Sequence, residues 1–215
     1  MAVKTEVIDL ADESTTCDAL EDYPIDVYET FGGLINDRLP LICGGRNVSS
    51  FFSECYIAGS TNRDPVVKLL TPRTASTAVV LNSHQLWITG GQDESKILKT
   101  TEIVDALTSF APVVKGPELP LAMNGHCAVK LNENTIMFMY MKKSFFFEVS
   151  TQTWTNGPDM KHDRVYSGCG MMQMDTGSSM VVVTGGIMNE THSLAATEIL
   201  KLGDANGLKW SPGKN

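Results

Sequence analysis

A glutamate returns through this chain at positions 6, 54, 102, 148 and 198, with gaps of 48, 48, 46 and 50 residues. Each opens a short segment that reads as a strand: 6–10, 54–58, 102–106, 148–150 and 198–202. A fixed period near 48 makes the chain an array of one supersecondary unit, because a unit of that size cannot bury its apolar face alone and must stack on its neighbours. The period also bears on function: an array presents a surface built from loops, whereas catalysis needs one convergent site.

A second marker runs in phase with the first. Gly44-Gly45, Gly90-Gly91 and Gly185-Gly186 each end a short apolar strand, and glycine pairs there allow positive φ and close backbone approach. The remaining copy falls on Tyr140-Met141, which is expected to distort or widen its turn, so that glycine at both positions would stabilise the fold. A third marker is Gly116-Pro117 and Gly157-Pro158 near the ends of units, with Trp154 and Trp210 each three residues before a glycine and Val113 in that place in another unit.

One unit then holds four strands, at 74–82, 85–89, 101–105 and about 112–115, bounded by Gly, Pro, Asn and Asp. Four short strands in about fifty residues predict an all-β propeller with one blade per unit. The expected division is one domain over 1–215, with a half-blade at 1–26 and blades at about 27–70, 71–118, 119–160 and 161–213. No room precedes Glu6 for two inner strands of its blade, so the chain reads as part of a longer propeller. A small strained closure and an assembly between chains are the alternatives, since an open array leaves sheet edges unpaired.

The combination of Gly-Gly, Glu about eleven residues later, then Trp and Gly-Pro resembles the kelch repeat, from Thr5 to Gly213. Trp154-Thr-Asn-Gly-Pro-Asp-Met160 and residues 81–91 match best, while Tyr140-Met141 and Val113 depart from the pattern. The resemblance implies a non-catalytic module, a scaffold or substrate-recognition domain, that binds a protein partner through loops on one face. On that basis the candidate contacts are Arg46, Asn47, Gln92, Asp93, Lys142, Lys143, Asn189 and His192, with Arg73 and Arg164 on the turns between blades. Phe51 and Phe52 read either as an exposed anchor or as cover for a blade edge. The glutamates Glu6, Glu54, Glu102, Glu148 and Glu198 read as structural, accepting hydrogen bonds from loop backbone. Two alternatives stand beside this one: a copper enzyme like galactose oxidase, whose blades are kelch-like, and an extracellular structural or adhesive module.

The net charge of −8 argues against nucleic acid or an anionic membrane as partner, and no apolar run reaches the length of a membrane span. No cofactor or metal site is expected. None of Cys17, Cys43, Cys55, Cys127 and Cys169 forms a C-x-x-C, so zinc is not indicated. They are expected as buried thiols, with a bridge from Cys17 to Cys43 or Cys55 as the alternative. His84, His126, His162 and His192 fall at different phases of the repeat, and His126-Cys127, adjacent on a strand, point to opposite faces. The opening residues hold no signal peptide, which fits a cytoplasmic protein. If the amino terminus is truncated, a secreted one becomes open and the sequons Asn47-Val-Ser49 and Asn189-Glu-Thr191 acquire meaning.

Overall fold

Apolar strands alternate with glycine-containing turns along the whole chain, and a computed structural model shows how they stack. It describes residues 5–7, 18–36, 38–106, 112–173, 177–189, 192–203 and 207–213. A hairpin of β1 (Thr5–Val7) and β2 (Asp18–Leu20) comes first. Blade 1 holds β3 (Phe31–Ile35), β4 (Leu39–Cys43), β5 (Glu54–Ile57) and β6 (Val67–Lys68). Blade 2 holds β7 (Thr77–Asn82), β8 (Gln85–Thr89), β9 (Thr101–Asp105) and β10 (Val114–Lys115). Blade 3 holds β11 (Cys127–Lys130), β12 (Thr135–Tyr140), β13 (Lys143–Glu148) and β14 (Thr153–Asn156).

In blade 4, β15 (Gly168–Gln173) and β16 (Ser179–Thr184) are followed by a small hairpin, β17 (Ile187–Asn189) with β18 (His192–Ser193). Strands β19 (Thr197–Lys201) and β20 (Trp210–Pro212) complete the sheet. Every blade is a four-stranded antiparallel sheet, and the four are arranged as a β-propeller with no helix among the described residues.

The core is divided between blades. Leu41 and Leu86 belong to the cluster between blades 1 and 2, Trp87 and Phe138 to that between 2 and 3, and Met139 and Val183 to that between 3 and 4. Among the described residues no fourth cluster joins blade 4 to blade 1.

Backbone hydrogen bonds fix the register between blades. In blades 1 and 2 the second residue of the glycine pair donates to the chain entering the next blade: Gly45 N–H to Arg73 O at 2.9 Å and Gly91 N–H to Met123 O at 2.7 Å. The approach is so close that a Cβ on Gly44 would lie 2.6 Å from the Arg73 carbonyl oxygen. Tyr140-Met141 do not widen this turn. Tyr140 extends β12 and pairs with Lys143, so the hairpin tightens. Met141 takes the glycine's conformation, with φ of 52°, and donates to Arg164 O at 3.0 Å.

The same register corrects the glutamate pattern. Glu102 lies opposite Ile88 and Glu198 opposite Val183, each one residue below its glycine turn. Both are buried and accept backbone N–H groups from the preceding turn: Glu102 from Leu70 and Thr71, Glu198 from Lys161 and His162. Tyr56 and Phe145 occupy the equivalent place in blades 1 and 3. Glu148 therefore does not open a strand but ends β13, where it accepts from Asn134 and Thr135. Glu54 lies two residues out of phase and pairs with Lys68 at 3.0 Å. Only the backbone pairing of Glu6 is described. The tryptophans keep their phase: Trp154 lies opposite Phe147 and Trp210 opposite Leu200, and their indole N–H groups donate to Glu118 O and Pro158 O on the preceding turns.

The four described cysteines are not free thiols. Cys43 and Cys55, directly opposite each other on β4 and β5, form a disulfide, and Cys127 of β11 is bridged to Cys169 of β15 across blades 3 and 4. Cys17 lies outside the described residues, and its expected partners Cys43 and Cys55 are bonded to each other.

Candidate partner-binding face

Four residues entering the inner strands, Glu29, Ala75, Gly125 and Tyr166, share left-handed φ of 57°, 51°, 57° and 56°. They are linked around the axis: Ala75 N–H donates to Glu29 O at 3.1 Å, Gly125 N–H to Ala75 O at 2.8 Å, and Tyr166 N–H to Gly125 O at 2.6 Å. Left-handed φ on residues other than glycine costs of order 1 kcal/mol or more each and gathers where geometry serves a site. The four surround an axial cavity of about 250 Å³, also lined by Thr30, Ser76, His126 and Ser167.

Long turns between the second and third strands build the rim of this face. In blade 1, Arg46 bridges both Tyr28 and Phe51. In blade 2, Gln92 does the same with Thr74 and Ile97, and in blade 4 Ile187 bridges Val165. Blade 3 lacks such a turn because its hairpin closes at Met141-Lys142. The shortfall leaves a notch of about 470 Å³ between blades 3 and 4, lined by Asn124, Tyr140, Met141, Asp163, Arg164, Val165, Ile187 and Met188. Tyr140 O–H donates to Asn124 Oδ1 at 3.2 Å across its floor. Tyr166 lines the axial cavity, Met141 and Met188 line the notch, and Tyr28 stands beside Glu29 of the axial ring, each between 44% and 47% exposed. Large apolar groups gathered on one loop face are the composition of an interface, with aromatics as anchors and methionine adapting to shape.

The charges on the face are mostly paired. Arg46 Nε donates to Glu29 at 3.1 Å, and its guanidinium lies 5.0 Å from the Tyr28 ring centroid; the bond to Glu29 pushes its pKa up. Lys142 meets Asp163 at 3.6 Å and Lys143 meets Asp159 at 2.7 Å. Asn47 and Asp93 turn inward on their own loops, accepting from Ser49 and Ser50 and from Ser95 and Lys96. Phe51 and Phe52 are half-buried, and His192 is exposed opposite Asn189 in the β17–β18 hairpin.

Arg73 and Arg164 correct the sequence expectation, since both are buried and offer no side chain to a partner. Each bonds the carbonyls flanking its glycine turn and the glutamate below it: Arg73 to Gly90 O, Thr100 O and Glu102, and Arg164 to Gly185 O, Ala196 O and Glu198. Burial alone would raise the Glu198 pKa, but hydrogen bonds from Lys161, His162 and Arg164 outweigh it and hold the carboxylate below its ordinary range. For Arg73, burial prevails over the Glu102 charge and lowers its pKa. Blades 1 and 3 have neither member of the pair: Val27 and Met123 stand in the arginine place, and Tyr56 and Phe145 in the glutamate place.

Sequence reasoning missed Tyr28, Tyr140, Met141, Tyr166 and Met188. Tyr28 stands 16 residues before Gly44 and Tyr166 stands 19 before Gly185, so no common spacing from the glycine pairs marks them in the sequence.

The histidines sit apart. His126 is buried with Nε2 2.8 Å from the Thr89 hydroxyl, and burial pushes its pKa down to about 3; His162 bonds Glu198. Among the described residues no three His, Cys, Asp or Glu side chains gather as metal ligands. Neither the protein-family models nor the curated proteins contain a match to this chain.

Proposed function

We propose that this chain is a non-catalytic protein-interaction module of kelch type, which takes a protein partner on its loop face across the axis and the notch of blade 3. The observation that carries the reading is the half-exposed set Met141, Tyr166 and Met188 lining two adjoining cavities, with Tyr28 beside Glu29 of the axial ring. The Arg–Glu pairs beneath the glycine turns and the tryptophans on the outer strands support the kelch resemblance. The acidic surface favours protein over nucleic acid as partner and gives no purchase on an anionic membrane.

A partner identified by proximity labelling in cells, then titrated against purified protein, tests the reading. Tyr166→Ala with Met188→Glu should weaken binding by about 30-fold, the loss expected for a hot spot near 2 kcal/mol. Unchanged affinity in that variant, with loss instead on Val114→Glu at the outer strand of blade 2, would place the partner on the rim of the sheets and overturn it. A second reading, the extracellular structural or adhesive module, is favoured by the two disulfides, which persist in oxidising compartments.

A further inference from the structure

The sequon Asn47-Val48-Ser49 lies on the rim turn of blade 1, apart from the notch between blades 3 and 4. It forms the tip of the turn between β4 and β5, where Val48 is 96% exposed and Ser49 and Ser50 are exposed beside it. Asn47 Oδ1 accepts the Ser49 and Ser50 N–H groups at 2.9 and 2.8 Å, and Asn47 N–H donates to Ser50 O at 3.0 Å. These bonds occupy the oxygen and fix the side chain. The amide nitrogen Nδ2 is left with no protein partner among the described residues. The Cys43–Cys55 disulfide ties the two strands together at the foot of this turn.

Two independent features thus agree on one compartment. Cystines persist where the milieu is oxidising, and four of the five cysteines are paired in this fold. Sequons are read in the secretory pathway, which is such a milieu, and on exposed loops. The sequon at Asn189 runs into residues outside those described and carries none of this argument.

We propose that Asn47 is an N-glycan acceptor. In the transfer, Nδ2 attacks the anomeric carbon of a lipid-diphosphate-linked oligosaccharide. The N–C bond forms, the bond from that carbon to the diphosphate oxygen breaks, the lipid diphosphate leaves, and the amide nitrogen loses one proton. No oxidant or reductant enters. A sugar at this tip covers the rim of blade 1 beside Arg46 and leaves the notch between blades 3 and 4 clear. The site stands whether or not a protein partner docks on the loop face.

The test is to direct the full chain into the secretory pathway of cultured animal cells with a cleavable leader and to collect it from the medium. Release of glycans by peptide-N-glycosidase in heavy-oxygen water, followed by peptide mass spectrometry, reads each asparagine. The expected result is heavy-labelled aspartate at position 47, lost in Asn47→Gln and in Ser49→Ala, which keeps the asparagine and its turn. Unmodified Asn47 in secreted chain whose cystines map to the two pairs overturns the proposal, as does label confined to Asn189. Secreted chain with all four of these cysteines as free thiols overturns it as well, because the argument for the compartment then fails.

Discussion

Arg164 and Glu198 meet at 2.8 Å with side-chain exposures of 0% and 2%, and the guanidinium Nε still finds no partner. Burying both charges is costly, and the attraction between them repays it only with full hydrogen bonding. Blade 3 fills the same two places with Met123 and Phe145, both buried. The fold therefore contains its own apolar replacement for the pair. Arg164→Met alone takes the buried cation from a carboxylate that keeps only its Lys161 and His162 bonds and should cost about 3 kcal/mol in urea unfolding, whereas Arg164→Met with Glu198→Phe should recover most of that loss. An unrecovered double variant would show that the carbonyl bonds from Arg164, not the ion pair, hold the turn. His126 gives a pH signature at the same scale. Its pKa falls from 6.5 to about 3 on burial, so between those values the unfolded chain binds a proton that the folded chain does not. Stability from this group is whole above pH 6.5 and is lost as pH falls toward 3, on the order of 5 kcal/mol in all. The stability difference between the native protein and His126→Phe, measured from pH 7 to pH 4, should shift against the native protein as pH falls. A difference flat with pH would mean that His126 takes up its proton while folded.

Between Tyr140 and Lys143 the chain turns in two residues, and this hairpin separates what the sequence disclosed from what it hid. The strands Gln85–Thr89 and Thr101–Asp105 were legible because apolar runs end at turn residues, and the glycine pairs marked their spacing. The inner-strand phase was hidden in blade 3, where a glutamate one period from Glu102 invited alignment although Phe145 holds the equivalent place. Periodicity in one residue type reports composition as well as register, and only the hydrogen-bond ladder tells them apart. The disulfides were illegible for a related reason: Cys43 and Cys55 become neighbours only once the register of β4 on β5 is known. The notch was equally hidden, since it arises from the shortness of one turn between two long ones. The expectation that glycine at positions 140 and 141 would stabilise the fold meets opposition at position 140, whereas Met141, half-exposed with φ of 52°, has a backbone that glycine would suit. Tyr140 is 9% exposed, packs in the core between blades 2 and 3, and bonds Asn124. Tyr140→Gly should lower stability by about 3 kcal/mol, the order for emptying a buried aromatic site, and a raised melting temperature would contradict this packing.

Among the described residues four blades share three interblade cores, and that count governs how the whole molecule behaves in solution. Each inner face is sealed by its neighbour, and the Cys127–Cys169 bridge locks blade 4 to blade 3, so opening between those blades is opposed by covalent as well as apolar forces. The two outermost faces have no such cover among the described residues. On β15, Met171 and Met172 are 43% and 53% exposed, and a Cβ added at Gly170 would meet nothing within 4 Å. On β3, Leu34 is 51% exposed. In the interior blades the corresponding strands β7 and β11 have no exposed residue, so an uncovered apolar sheet face drives association whenever a second one is available. Light scattering coupled to gel filtration should find this chain larger than a monomer and increasingly so with concentration, and Met172→Lys should shift it toward monomer. A monomer at every concentration, in the native chain and the variant alike, would mean that blades 1 and 4 seal each other in solution and that the loop face surrounds a closed axis.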